Sequence, residues 1–178
     1  GSSRIQVQRA KFSSHIRKKA SRSSSPDMHF DTASLNADAA YRLLSSAVVP
    51  RSIAWLSTLN ESGSVNLAPF SFFNAVSSEP PMIAVSIEDR ASGLEKDSLA
   101  NIKRTGSFVS HVVTEGLLGS VVTSAIEFPS DISEVEIAGL NLVSSHHIAV
   151  PRLLEASVSM ECKLETLLRV GTAATLVI

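Results

Sequence analysis

Apolar positions recur along this chain with two periods, and the switch between them falls at prolines and glycines. Over 31–47 (DTASLNADAAYRLLSSA), Leu35, Ala39, Leu43 and Ala47 lie four apart, the stripe of one helical face. A helix is expected there, with Asp31, Thr32 or Ser34 as its cap, and Pro50 forbids its continuation. From Ile53 the texture becomes strand-like: IAWLSTL, a polar Asn60-Glu61-Ser62-Gly63 turn, then Val65 to Ala68 returning as a hairpin. Met82 to Ile87 is a third short apolar run, following Pro80-Pro81.

Lys96 to Thr105 (KDSLANIKRT) reads as a helix, with Asp97 or Ser98 to cap it and Gly106 at the position where a left-handed residue ends helices. Phe108 to Val113 reads as a strand, and Thr114-Glu115 can start a helix running to about Ala125. Glu127 to Gly139 is acidic and punctuated, the texture of a long surface loop. Val158 to Leu168 alternates, with Val158, Met160, Cys162 and Leu164 on one face. Gly171 allows a turn, and a strand begins at Thr175. Short strands with helices inserted irregularly favour a mainly β fold, an antiparallel barrel with flanking helices, over a doubly wound parallel sheet.

Composition narrows the classes. The 178 residues are 44% hydrophobic and 19% charged, enough for one domain with one core. No apolar run reaches the roughly 18–20 residues that a membrane helix requires. A single cysteine, Cys162, excludes a disulfide framework and a cysteine-based zinc site, and fits a reducing, intracellular setting, the cytoplasm first. Its alternation with apolar neighbours reads as an inert core thiol.

The net charge of −1 conceals an uneven distribution. Residues 1–26 carry seven cations and no acid, so the remainder holds nine basic against 17 acidic residues. Gly1-Ser2-Ser3 reads as a cloning scar, and the rest of 1–26 as a separate Ser-rich basic arm preceding a domain at 27–178. Three readings of that arm compete: a solvated tail, an organelle presequence, or an anion-binding patch. Phe12 is its one aromatic residue, so base stacking has little to use and nucleic acid is the weakest of the three.

The eight glycines contain no G-x-G-x-x-G, no P-loop occurs, and no G-x-S-x-G elbow is present. Dinucleotide binding on a Rossmann fold and serine hydrolysis therefore lack a sequence basis. His146 and His147 are adjacent, and neighbours on an extended chain face opposite ways, so joint metal ligation is not expected.

The densest stretch is Pro50 to Ile87, with P-R-x-I-A-W-x-S-T at 50–58, N-L-A-P-F-S-F-F-N-A-V-S at 66–77 and P-P at 80–81. K-D-S-L-x-N-I at 96–102, G-x-F-V at 106–109, A-G-L at 138–140 and P-R-L-L-E-A at 151–156 follow in order. This ordered series, over about residues 42–178, resembles the flavin reductase-like family, whose domains are FMN-binding split β-barrels. The resemblance implies non-covalent FMN, a homodimer with the flavin near the subunit boundary, and NADH or NADPH as a transient donor. A monooxygenase or another acceptor would then take the electrons. The different-class alternative is a split-barrel module that carries or senses a flavin without turnover. Related domains usually continue past the point where Ile178 stands, so the last barrel strands are expected to be incomplete.

The site residues follow from the same resemblance. Ala68, Pro69, Phe70 and Ser71 would flank the flavin ring, which needs apolar walls and backbone hydrogen-bonding groups. From the residues alone, the plainer reading is a hairpin with buried phenylalanines, in which Phe70 and Phe72 face one side and Ser71 and Phe73 the other. Lys96, Asp97 and Ser98 at a helix start, with Ser57 and Thr58, would hold the phosphate; a helix N-terminus already favours an anion. Taken singly, Lys96 is an ordinary surface lysine and Asp97 a simple cap. Arg51, Trp55, Ser86 and Asn101 are secondary candidates, and His146 or His147 could approach the flavin or the nicotinamide. No protein nucleophile is expected, because the flavin itself accepts hydride.

Overall fold

A computed structural model describes residues 29–129 and 132–178. The basic arm at 1–26 lies outside these residues. The chain divides into two units at Leu44.

In the first unit a turn precedes the helix: the Ala33 N–H bonds Asp31 Oδ1 (3.0 Å), and the Ser34 N–H bonds the Asp31 carbonyl (3.1 Å). The helix α1, Ala37–Ala47, therefore starts later than the apolar stripe suggested. Its cap is Asn36, whose Oδ1 accepts the Ala39 N–H at 2.8 Å, and none of Asp31, Thr32 or Ser34 serves as cap. An Asx turn at Asp31 competes for the same local donors and wins over the first helical turn.

The second unit, Ser45–Ile178, is built on two four-stranded antiparallel sheets. One has the order β2-β1-β5-β8, from β1 (Ala54–Leu59), β2 (Val65–Phe70), β5 (Ser107–His111) and β8 (Ser159–Lys163). The other has the order β3-β4-β10-β9, from β3 (Phe73–Ser78), β4 (Pro81–Glu88), β9 (Leu167–Val170) and β10 (Ala174–Val177). The helix α2, Asp97–Thr105, closes the space between them. A two-stranded ribbon, β6 (Leu142–Val143) with β7 (Arg152–Leu153), and two short helices, α3 (Leu118–Thr123) and α4 (Glu134–Ile137), complete the unit.

Two cores explain why β1 reads as a nearly continuous apolar run. Ala54 and Leu56 face the barrel interior with Phe70, Val85, Ile87, Leu99, Ile102, Phe108 and Val177. Trp55 faces the other way, joining Val65, Leu67, Val121, Val135 and Leu153. A strand covered on both faces loses the apolar–polar alternation of a half-exposed one.

Several local expectations are corrected. The chain bends at Ser71-Phe72, where β2 ends and β3 begins in the other sheet, so simple alternation fails. Phe70 and Phe73 both pack on the interior core, although an extended chain would put them on opposite sides. The N-cap of α2 is Lys96, with no side-chain cap, and neither Asp97 nor Ser98 fills that role. Gly106 ends the helix as expected, at φ +66° with its N–H on the Ile102 carbonyl. Val112 and Val113 fall outside β5, which ends at His111. The helix expected from Thr114 to Ala125 is a 3-10 turn, Glu115–Leu117, followed by the short α3. The acidic segment expected to be all loop contains α4, and the run expected as one strand to Leu168 breaks after Lys163.

That α4 turn shields the free edge of β2. Ser133 Oγ donates to the Val65 carbonyl (2.8 Å), and Glu134 Oε2 accepts the Leu67 N–H (3.0 Å). An open edge strand would otherwise present unpaired backbone groups. Ser133→Ala is expected to cost about 1 kcal/mol in urea unfolding, the net contribution of one such bond; an unchanged midpoint would show that the latch adds nothing.

Candidate functional site

The stretches 66–69 and 96–98, distant in sequence, meet at one open cleft of about 80 Å³. Asn66, Ala68 and Pro69 contribute from β2, and Lys96, Asp97 and Ser98 from the start of α2. Arg90, the segment from Ser124 to Phe128, and Glu134 complete the lining.

Lys96 is placed by the hairpin-to-helix connection that ends in its own extended backbone, φ −72° and ψ 149°. Its Nζ lies 5.8 Å from the centre of the Phe70 ring, within cation–π range. Among the described residues Lys96 makes no ion pair, whereas the neighbouring charges are matched: Arg90 Nη2 meets Asp97 Oδ2 at 2.7 Å. Arg90 Nη1 also donates to the Glu95 carbonyl at 3.1 Å. The cleft thus has one uncommitted cation beside the free N–H groups of the first turn of α2, which favours an anion.

A hydrogen-bonded polar layer lies beneath. Asn66 Nδ2 donates to Ser98 Oγ (2.9 Å) and to Thr58 Oγ1 (3.3 Å). Asn101 Nδ2 donates to Thr58 Oγ1 (3.1 Å) and Asn60 Oδ1 (2.6 Å). Ser98 is therefore oriented at the cleft, while Thr58 and Asn101 sit behind it as supports. A buried amide network of this kind is rigid because each broken bond would strand a polar group.

Other expected site residues lie elsewhere. Ser57 points to the opposite face of β1 from Thr58, as alternation requires; its Oγ donates to the Pro151 carbonyl at 2.8 Å and lies 3.2 Å from His111 Nε2. This serine–histidine pair is fully buried and its hydroxyl proton is committed, so it is not placed to act as a nucleophile and base. Trp55 is also fully buried, offering no ring face to a ligand; its Nε1–H donates to Ser124 Oγ (2.8 Å) and so braces a residue of the cleft lining. Phe70 lies under Lys96, in the core.

Ser71 Oγ accepts from Arg51 Nε at 3.4 Å. Arg51 also donates to the carbonyls of Ser45 and Val48, so it fastens the entry of β1 to the β2–β3 bend. Ser86 stands on the face of β4 opposite Val85 and Ile87, with its N–H on the Phe72 carbonyl. His146 and His147 are exposed, and their backbone N–H groups both bond the Glu161 carboxylate (2.8 and 2.7 Å), which holds that carboxyl below its ordinary range. The Cys162 thiol is pushed up to about 11 by burial, the state of an unreactive thiol.

Three participants carried little sequence signal. Asn66 is a lone amide in an apolar strand, and that mismatch was a usable cue. Arg90 lies in an irregular segment, and Glu134 opens α4, a four-residue helix too short for a period to mark a face. Burial raises the Glu134 carboxyl above its ordinary range, and the nearby Asp97 charge adds to the effect.

Comparison with known proteins agrees with this architecture. A protein of Halalkalibacterium halodurans is 42% identical over 144 residues, 81% of this chain and 69% of its own. Nitrilotriacetate monooxygenase component B from Bacillus cereus superposes with a TM-score of 0.83 at 32% identity, covering 86% of this chain and 78% of that one. A split-barrel protein from Shewanella frigidimarina superposes at 0.72 with 20% identity, covering 84% and 75%, a likeness of fold. No helix among the described residues is long and apolar enough to cross a membrane. The model of the flavin reductase like domain matches residues 45–178, the whole of the second unit, and with two sheets parted by the Ser71-Phe72 bend this chain belongs to that family of split β-barrels.

Proposed function

We propose that the cleft holds FMN non-covalently and that the protein is an NAD(P)H-dependent oxidoreductase of the flavin reductase type. The observation that carries this reading is the meeting of Lys96 and Ser98 with Ala68 and Pro69 at one cleft, where Lys96 has no acidic partner among the described residues. Lys96 and the first-turn N–H groups of α2 would take the phosphate, with the Ser98 hydroxyl held in place by Asn66. Ala68, Pro69 and the bend at Ser71 would border the ring.

When bound, the flavin supplies the hydride chemistry, so the protein needs no nucleophile of its own. What the chain provides is binding, orientation and a rigid floor. Thr58, Asn101 and Asn60 fix Asn66, and Trp55 fixes Ser124, so these parts of the lining are set before a ligand arrives. The cleft is open on one side, which suits a second copy of the chain completing it as a homodimer. The likeness to a monooxygenase component supports an oxygenase or similar acceptor as the destination of the electrons.

The purified protein should show flavin absorbance and release FMN on denaturation. Anaerobic addition of NADH or NADPH should bleach that absorbance. A protein that neither carries nor takes up FMN would overturn the reading; one that binds FMN without bleaching would be a carrier or sensor.

A further inference from the structure

The hydrogen bonds that reach Ser98 from behind run in one direction. Asn66 Nδ2 gives one hydrogen to Ser98 Oγ (2.9 Å) and the other to Thr58 Oγ1 (3.3 Å), so its amide donors are spent. Asn101 Nδ2 is spent in the same way, on Thr58 Oγ1 and on Asn60 Oδ1, and Asn60 Nδ2 passes on to Ser64 Oγ at 2.9 Å. Ser98 therefore receives at Oγ, while its own proton has no acceptor among the described residues. It is 2% exposed and lines the cleft.

The donors beside it are also unspent. The Leu99 and Ala100 N–H groups both go to the Lys96 carbonyl (3.0 and 3.2 Å), which leaves those of Asp97 and Ser98 without an acceptor among the described residues. Lys96 makes no ion pair among the same residues. A hydroxyl free to turn accepts as readily as it donates, whereas one already holding a buried amide hydrogen has its proton left over.

We propose that Asn66 is the positioning residue that sets the polarity of this corner: by donating to Ser98 Oγ it turns the Ser98 hydroxyl proton towards the ligand, so that the corner offers donors only. The proposal rests on the FMN reading and deepens it. An ionised phosphate suits such a corner, because its terminal oxygens accept and none needs to donate. The hydroxyl that ends the chain of riboflavin, where FMN has its phosphate, brings a proton of its own and no charge. Asn66 thereby favours the phosphorylated ligand through Ser98, without touching the phosphate.

Asn66→Ala, Ser98→Ala and the double variant test this when titrated with FMN and with riboflavin, with thermal unfolding of the ligand-free protein as the fold control. FMN affinity is expected to fall about tenfold in N66A and in S98A, the scale of one hydrogen bond to a charged group, and no further in the double variant. Riboflavin affinity is expected to stay the same in all three. Additive losses in the double variant, an equal loss for riboflavin, or unchanged FMN affinity in N66A would overturn the assignment while leaving the flavin reading intact. A wild-type protein that binds no FMN would overturn both. Should N66A not fold, the wild type decides by NMR: the side-chain amide signals of Asn66 should shift at saturating FMN and stay in place at saturating riboflavin. Equal shifts with the two ligands, or no shift with FMN, would overturn the proposal.

Discussion

Replacing Lys96 with alanine is expected to weaken FMN binding by about 1.5–3 kcal/mol, the range of a charge-assisted hydrogen bond withdrawn from an anion. The surroundings support a loss of that size. Arg90, the other cation of the cleft, is held by Asp97 at 2.7 Å and by the Glu95 carbonyl, so it is not free to substitute. The Lys96 ammonium lies over the Phe70 ring and makes no ion pair among the described residues, so its removal should leave the barrel intact. Titration of the apoprotein with FMN and with riboflavin separates the contributions: the variant should lose FMN affinity and keep that for riboflavin. Equal FMN affinity in the two proteins would remove Lys96 from the site.

The second large effect concerns acid. His111 is fully buried between β1 and β8, and its tautomer follows from its partners. Ser57 Oγ gives its proton to the Pro151 carbonyl, so His111 Nε2 must carry a hydrogen and donate to Ser57, leaving Nδ1 to accept from Ser159 Oγ at 3.0 Å. The neutral ring is thus fully satisfied. Burial, followed by the charge of Arg152, pushes its pKa down to about 4 from an ordinary 6.5. Because the folded pKa is the lower one, the unfolded chain binds the proton more readily, and stability is lost as pH falls from 6.5 towards 4. Two and a half pKa units correspond to about 3 kcal/mol across that window. Urea unfolding at a series of pH values should show this slope in the wild type and a flatter one in His111→Gln. Parallel profiles would assign the acid sensitivity to other groups. Glu134, whose raised pKa acts in the opposite sense, titrates in both proteins and so cancels from the comparison.

The same two regions show how far the sequence could be read. The resemblance at 50–77 and 96–102 pointed to the stretches that meet in the cleft, because each is a contiguous run whose residue types are unusual together. What it could not separate was the role of adjacent residues on one strand. Ser57 and Thr58 look alike as a pair of hydroxyls, yet one faces His111 and the other supports Asn66 and Asn101. Trp55 offered an aromatic ring, and burial on both faces of β1 turned it into a brace for Ser124. Asp97 resembled a cap, but an arginine seven residues upstream claimed it. Glu134 was hidden in an acidic stretch without period, where only the β2 edge explains its position.

By itself the chain's pattern determined the strand-rich class and the helix ended by Gly106, because these depend on local periodicity and turn chemistry, whereas the segments that line the cleft were indicated only by the resemblance of contiguous motifs to a family. Tertiary structure alone decided which side chain of each segment faces the cleft, which is sealed behind it, and which distant residue joins them. Those outcomes depend on the second face of β1 being covered and on the free edge of β2 being met by α4 from almost seventy residues away, long-range contacts that no local period encodes.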